Sequence, residues 1–232
     1  MRQFVFLAGL PRSGSSLLSA LLSQNPQVHA EGNSALCQLM WDNCVSMENA
    51  CSEQLMANRR YTTQFEVVSA LPHLYYANTD KPIVVDKCRS WTMPANLKLI
   101  TSFITPNPRV IVLTRDIDEI VESFRGLHER NGLPFDADWL MREGSEPLMR
   151  SLDGVNHARS LNNDWFLFMD YNDLVADTLG QLERIYDFIC EPMFSHDLNN
   201  IVVDSPEDDS VYGLNGMHDV RPSIGLRRKE VV

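Results

Sequence analysis

The stretch 6-FLAGLPRSGSSLL-18 joins an apolar run to a helical pattern through a turn of glycine, proline and serine. Gly9 and Gly14 stand five apart, as in the phosphate-loop spacing GxxxxGK[ST], and Ser16 fills the final hydroxyl position. Such a loop needs a strand that delivers the chain, glycines that let backbone N–H groups face an anion, and a helix whose positive end receives it. All three are present, but Ser15 occupies the lysine position. That lysine normally reaches the β and γ phosphates of ATP or GTP, so its replacement argues against an ordinary NTPase. A cation stands inside the loop instead, at Arg12, where a planar guanidinium can grip an anion through two hydrogen bonds. Pro11, Arg12, Ser13, Gly14, Ser15 and Ser16 are thus the expected anion-binding loop.

Working outward, apolar runs bounded by turn signals recur at 3–9, 81–87, 108–115 and 164–171, each short and rich in Val, Ile, Leu or Phe. They read as buried parallel strands. Helical spacing fills 15–24, 34–57, 62–77, 92–104, 116–131 and 177–190. The alternation predicts one α/β domain over 1–232, a three-layer α/β/α arrangement around a central, mostly parallel sheet. Cys37, Cys44 and Cys51 recur every seventh residue and read as a helix stripe. Residues 132–162 are punctuated by glycine and proline and are expected to form a substrate-side insertion or lid. Residues 204–216 are acidic and turn-rich, a surface loop ahead of a basic tail that ends at 232.

The net charge of -11 sets the whole chain against polyanions, so nucleic acid and anionic membranes are excluded as general partners and any anion site must be local. Five cysteines, odd in number and without CxxC pairs or a zinc-like array, read as free thiols of a reducing compartment. No run approaches the roughly 18 apolar residues of a membrane span. The amino-terminal run lacks the form of a signal peptide. The expected location is cytoplasmic, and no metal is called for.

At "GLPRSGSSLLSALLSQNPQV" the chain resembles the sulfotransferases that use 3′-phosphoadenosine 5′-phosphosulfate (PAPS), whose first motif is a PRSGTT-like loop. "VIVLTRDIDEIVESF" (110–124) is similar to their second motif, a strand ending in arginine followed eight residues later by serine. The resemblance implies that Arg115 and Ser123 grip the 3′-phosphate. An arginine at a strand's carboxyl end also faces the crevice where open α/β sheets bind ligands. "VVDKCRSW" resembles the strand-end lysine segment of the tyrosylprotein-like and bacterial branches, which implies Lys87 near the sulfuryl group. "YNDLVADTLGQLERIYDFI" resembles the family's helix entry after the fourth strand and implies Tyr171 near the nucleotide.

The implied reaction is in-line displacement of the sulfuryl group onto a hydroxyl or amine, releasing adenosine 3′,5′-bisphosphate. By analogy with phosphoryl transfer, positioning and charge stabilisation carry most of the catalysis. Arg12, Lys87 and the loop amides are the candidates for the leaving oxygen's charge. An acceptor hydroxyl must lose a proton, and "HAEGNS" offers Glu31 first and His29 second as base. In a gap-free comparison with the tyrosylprotein branch the acidic position falls at Asn33. Among the other histidines, His218 beside Asp219 is the next candidate. Two rivals stand beside this reading. A phosphate-loop kinase would need a cation where Ser15 stands and a magnesium carboxylate such as Asp86. A non-catalytic adenosine-bisphosphate-binding protein would keep Arg12, Arg115 and Ser123 while tolerating loss of Lys87 and Glu31. The acceptor, whether saccharide, peptide, lipid or small alcohol, would be chosen by the loops at 34–78 and 132–162.

Overall fold

In the computed structural model, which describes residues 2–224, five strands form one parallel sheet in the order β2-β3-β1-β4-β5. These are β1 (Gln3–Gly9), β2 (Val28–Asn33), β3 (Ile83–Lys87), β4 (Arg109–Thr114) and β5 (Phe166–Asp170). The helices are α1 (Ser15–Ser23), α2 (Leu36–Glu48), α3 (Ser52–Ala57), α4 (Thr63–Tyr75), α5 (Pro94–Phe103), α6 (Ile117–Arg130), α7 (Ala137–Leu140), α8 (Met149–Leu161), α9 (Tyr171–Ala176) and α10 (Thr178–Ile189). Short 3-10 turns lie at Arg89–Thr92 and Asp209–Tyr212.

The unbroken apolar runs follow from burial on both faces of the sheet. Phe4, Phe6, Val110 and Val112 point into one core, with Ile120, Phe124 and Leu127 of α6. Val5, Leu7, Ile111 and Leu113 point into the other, with Leu18, Leu21 and Leu22 of α1. The helices after β1 and β4 therefore leave on opposite faces, and their loops part at the carboxyl edge of adjacent strands. That divergence makes a ligand crevice.

The fifth strand, β2, has no apolar run: it reads VHAEGN, and sequence patterning passes over it. As an edge strand it needs only its inner face covered. Its pairing advances from Ala30↔Val85 to Asn33↔Lys87, three residues against two, so a bulge sets Asn33 beside Lys87. The predicted helix over 34–57 is two helices with a break at Asn49–Cys51. Cys37 and Cys44 are buried there and Cys51 is exposed. Within 132–162, α8 lies against the 3-10 turn at Arg89–Thr92, closely enough that a Cβ on Gly154 would stand 2.6 Å from Thr92 Oγ1. Much of that segment is thus core wall. Residues 225–232 of the expected basic tail lie outside the described residues.

Candidate functional site

The loop after β1 is built by crowding. Gly9 has φ 128°, and a Cβ there would lie 2.6 Å from the Leu113 backbone nitrogen. Only glycine lets β1 and β4 close at this point. Gly14, at φ 89°, sits under the Tyr171 ring, whose Cδ2 would be 2.8 Å from an added Cβ. Arg12 adopts φ 58°, a conformation that costs a side-chain-bearing residue about 1–3 kcal/mol and clusters at ligand clamps. The Ser13 hydroxyl donates to Leu10 O at 2.6 Å, fixing the turn from inside. Helix α1 begins at Ser15 with no side-chain cap and no acidic residue in its first turn, so its amino-terminal amides are open to an anion.

At the β4 side, Asp116 caps α6 by accepting from the amides of Asp118 and Glu119, which pins Arg115 to the strand–helix junction. Arg115 Nη1 donates to Arg12 O at 2.9 Å, its Nε pairs with Glu119 Oε2 at 2.9 Å, and its Cζ stands 4.3 Å from the centre of the Tyr171 ring. Arg12 Nε donates to Ser123 Oγ at 3.0 Å, and its Nη1 reaches the carbonyl of Met217. Burial, then the like charges of Arg130 and Arg115, hold the Arg12 guanidinium below its ordinary pKa. Cations gathered this way favour an anionic ligand.

The other end of the crevice lies at Lys87. Its ammonium, 3% exposed, donates to Ser16 Oγ at 3.3 Å and pairs with Glu207 Oε1 at 3.2 Å. Burial lowers the Lys87 pKa despite the attraction of Glu207. The partner arrives from a returning segment, 201–224, tied down by Ile201 N–H to Pro222 O at 2.8 Å and Ile224 N–H to Leu198 O at 3.1 Å. This strap crosses from Asn33, past Lys87 and Arg12, to Asn131 at the end of α6, where Asn215 N–H donates to Asn131 Oδ1 at 2.9 Å. His218 Nδ1 lies 2.6 Å from Asp209 Oδ1, and its Nε2 faces Glu207 Oε1 at 3.6 Å. A cleft of about 210 Å³ opens beside Lys87, Glu31, Glu207 and His218. Among the described residues no three His, Cys, Asp or Glu side chains are grouped to hold a metal ion, and no helix is long and apolar enough to cross a membrane.

The profile of the Sulfotransferase family matches residues 4–195. The chain belongs to the sulfotransferase family. The sulfotransferase domain from the Synechococcus PCC 7002 olefin synthase shares 18% identity at a TM-score of 0.59, over 95% of this chain and 89% of that one. For the sulfotransferase domain from the curacin biosynthetic pathway the figures are 19% and 0.58, over 84% and 76%. For a sulfotransferase from Alicyclobacillus acidocaldarius they are 13% and 0.58, over 85% and 84%. At these identities the likeness shows the fold. No curated protein matches the chain significantly. Family membership makes this sulfotransferase a group-transfer enzyme of a kind that generally uses PAPS.

The sequence-selected residues fall along one edge of the sheet. Pro11 through Ser16 form the loop after β1; there Arg12 bonds Ser123 through its side chain and Arg115 through its carbonyl, Tyr171 covers Gly14 and stacks on Arg115, and Lys87 meets Ser16. Arg12 differs from expectation in direction: its guanidinium bonds Ser123 and the Met217 carbonyl and shares no hydrogen-bond partner with Lys87. The Glu31 carboxylate approaches His29 Nε2 at 3.4 Å, outside hydrogen-bond geometry. Asp86, the carboxylate a kinase reading requires, is wholly buried and accepts from Ser34 Oγ, Tyr76 Oη and Trp91 Nε1 at 2.7, 2.8 and 2.6 Å. Sequence reading passed over Glu207, Asp209 and Asn33 as site residues. The acidic run EDD at 207–209 was the available signal.

Proposed function

We propose that the protein moves the sulfuryl group of PAPS to a hydroxyl or amine acceptor by in-line displacement. The observation that carries this reading is the convergence of Arg115 and Ser123, from separate elements, on Arg12 of the phosphate loop, whose carbonyl accepts from Arg115 and whose Nε donates to Ser123. On this reading one adenosine nucleotide would span from there to Lys87 along the same edge. Arg115 and Ser123, with Arg12 turned toward them, would hold the 3′-phosphate, while the Ser15–Ser16 amides at the start of α1 would hold the 5′-phosphosulfate. Tyr171, stacked on Arg115, would border the nucleotide.

In the transfer step the acceptor oxygen forms a new bond to sulfur as the bridging S–O bond breaks. The bridging electron pair stays on the 5′-phosphate. Lys87, buried and held by Ser16, is placed to stabilise that charge, where low polarity strengthens its effect. The acceptor's proton must pass to a base in the cleft beside Lys87, which Glu31 and Glu207 both line. Incubation with PAPS labelled at sulfur tests the reading. The expected result is labelled product from a hydroxyl or amine acceptor together with adenosine 3′,5′-bisphosphate. Turnover of ATP with phosphate transfer would contradict it.

A further inference from the structure

We infer that Glu207, delivered by the carboxy-terminal strap, is the general base that takes the acceptor's proton, seated by Asn33 and Gly32 of the β2 bulge. The inference rests on the sulfuryl-transfer reading above. A base must lie within hydrogen-bond reach of the hydroxyl that attacks sulfur, and Lys87 marks the oxygen that leaves. Glu207 touches Lys87 directly at 3.2 Å, whereas the recorded contact of the Glu31 carboxylate is to His29.

The seat is built for a carboxylate. Asn33 N–H donates to Oε1 at 3.2 Å, Asn33 Nδ2 to Oε2 at 3.1 Å, and Tyr212 Oη to Oε2 at 3.4 Å. Gly32 is needed for this approach and not for its backbone angle, since a Cβ there would stand 2.5 Å from Glu207 Cδ and Oε1. The acidic position that a gap-free comparison with the tyrosylprotein branch puts at Asn33 is thus filled by a side chain from 174 residues away, gripped by Asn33 itself. The groups facing Glu207 are Lys87 of β3, Ser16 of α1, Glu31 of β2, Asp209 and Tyr212 of the 3-10 turn, and His218 beyond it. Burial alone would raise its pKa, but Lys87, His218 and the Asn33 amide outweigh burial and keep it ionised.

The same arrangement gives a trigger. When the donor's bridging oxygen draws the Lys87 ammonium away, Glu207 loses its nearest cation and becomes more basic. The proton then moves from acceptor oxygen to Glu207, the acceptor O–S bond forms, and the bridging S–O bond breaks with its electrons left on the 5′-phosphate beside Lys87.

Glu207→Gln keeps the shape and the Asn33 contacts. With labelled PAPS and glycerol, tyramine, glucosamine and water as probe acceptors, it should lower turnover about 10²- to 10⁴-fold, while adenosine 3′,5′-bisphosphate still binds at wild-type strength or tighter. Gly32→Ala should lower turnover by displacing the same carboxylate. A measurement free of any acceptor accompanies these. Calorimetry of bisphosphate binding in two buffers of different ionisation heat, repeated across the acidic to neutral range, should show proton uptake by the wild type beyond any shown by Glu207→Gln. Equal proton uptake in both proteins, or turnover that Glu207→Gln preserves or raises, overturns the inference; raised turnover would make Glu207 a plug of the anion site. Turnover abolished by Glu31→Gln and kept by Glu207→Gln returns the role to Glu31. A wild type that binds no bisphosphate sinks the sulfuryl-transfer reading instead.

Discussion

The two ends of the crevice are made differently. At the arginine end, Arg12, Arg115 and Tyr171 each sit at a strand–helix junction, and local chain geometry aims them: a positive φ, the Asp116 cap and the start of α9 under the Asp170 cap. At the lysine end, β3 supplies the cation, a bulged edge strand the seat, and a strap some 120 residues further on the anion. The first end sets two arginines side by side, with Glu119 at its exposed rim as counter-ion to Arg115. The second is a closed ion pair that must open for chemistry. Among the described residues Arg12 has only neutral partners and Arg115 pairs with the exposed carboxylate of Glu119 where the nucleotide is to be held, whereas the pair is largely buried where bonds are to change.

That contrast can be broken most forcefully at Lys87. Lys87→Met should reduce turnover roughly 10²- to 10³-fold, the range for losing one donor aimed at transition-state charge. Bisphosphate affinity should fall far less, because the arginine end is untouched. Equal losses in binding and turnover, measured by calorimetry and by steady-state kinetics, would merge the two ends into one binding site.

A smaller effect sharpens the comparison through pH. Burial opposes ionisation of Glu207 and Asp209, yet Lys87, His218 and their hydrogen bonds hold both carboxylates below their ordinary range. A depressed carboxylate contributes stability that is present above its unfolded pKa and lost as pH falls through the folded value. The strap should therefore loosen on acidification below about pH 4, the ordinary carboxylate value, while at the other end the arginines keep their charge and the exposed Glu119 protonates. Hydrogen exchange should quicken at residues 205–218 before it quickens in α6. Simultaneous loss of protection in both would remove the strap's separate electrostatic latch.

The same division explains what was legible in the sequence. Four strands showed as apolar runs because both faces of the sheet are covered, and the phosphate loop showed because its glycine spacing and hydroxyl position lie within a dozen residues of chain, although the contacts that demand those glycines come from Leu113 and Tyr171. Arg115 and Ser123 could be read because strand end and helix face fix their spacing. The strand β2 was silent because an edge strand with a bulge carries neither an apolar run nor strict alternation. Glu207 was silent for a deeper reason: its partners Lys87 and Asn33 lie 120 and 174 residues away, and no local pattern records a contact of that span. Gly32 is the space that a side chain from another segment fills, which its own neighbours in the chain do not announce.

The most direct measurement is calorimetric titration of the purified protein with adenosine 3′,5′-bisphosphate in the presence of EDTA, beside ATP with magnesium. One bisphosphate should bind per chain without metal. Arg115→Ala should weaken it by about 1.5–3 kcal/mol, roughly ten- to 150-fold, for a charge-assisted hydrogen bond, and ATP should bind weakly or not at all. Absence of bisphosphate binding, an affinity indifferent to Arg115, or tight magnesium-dependent binding of ATP would contradict the account.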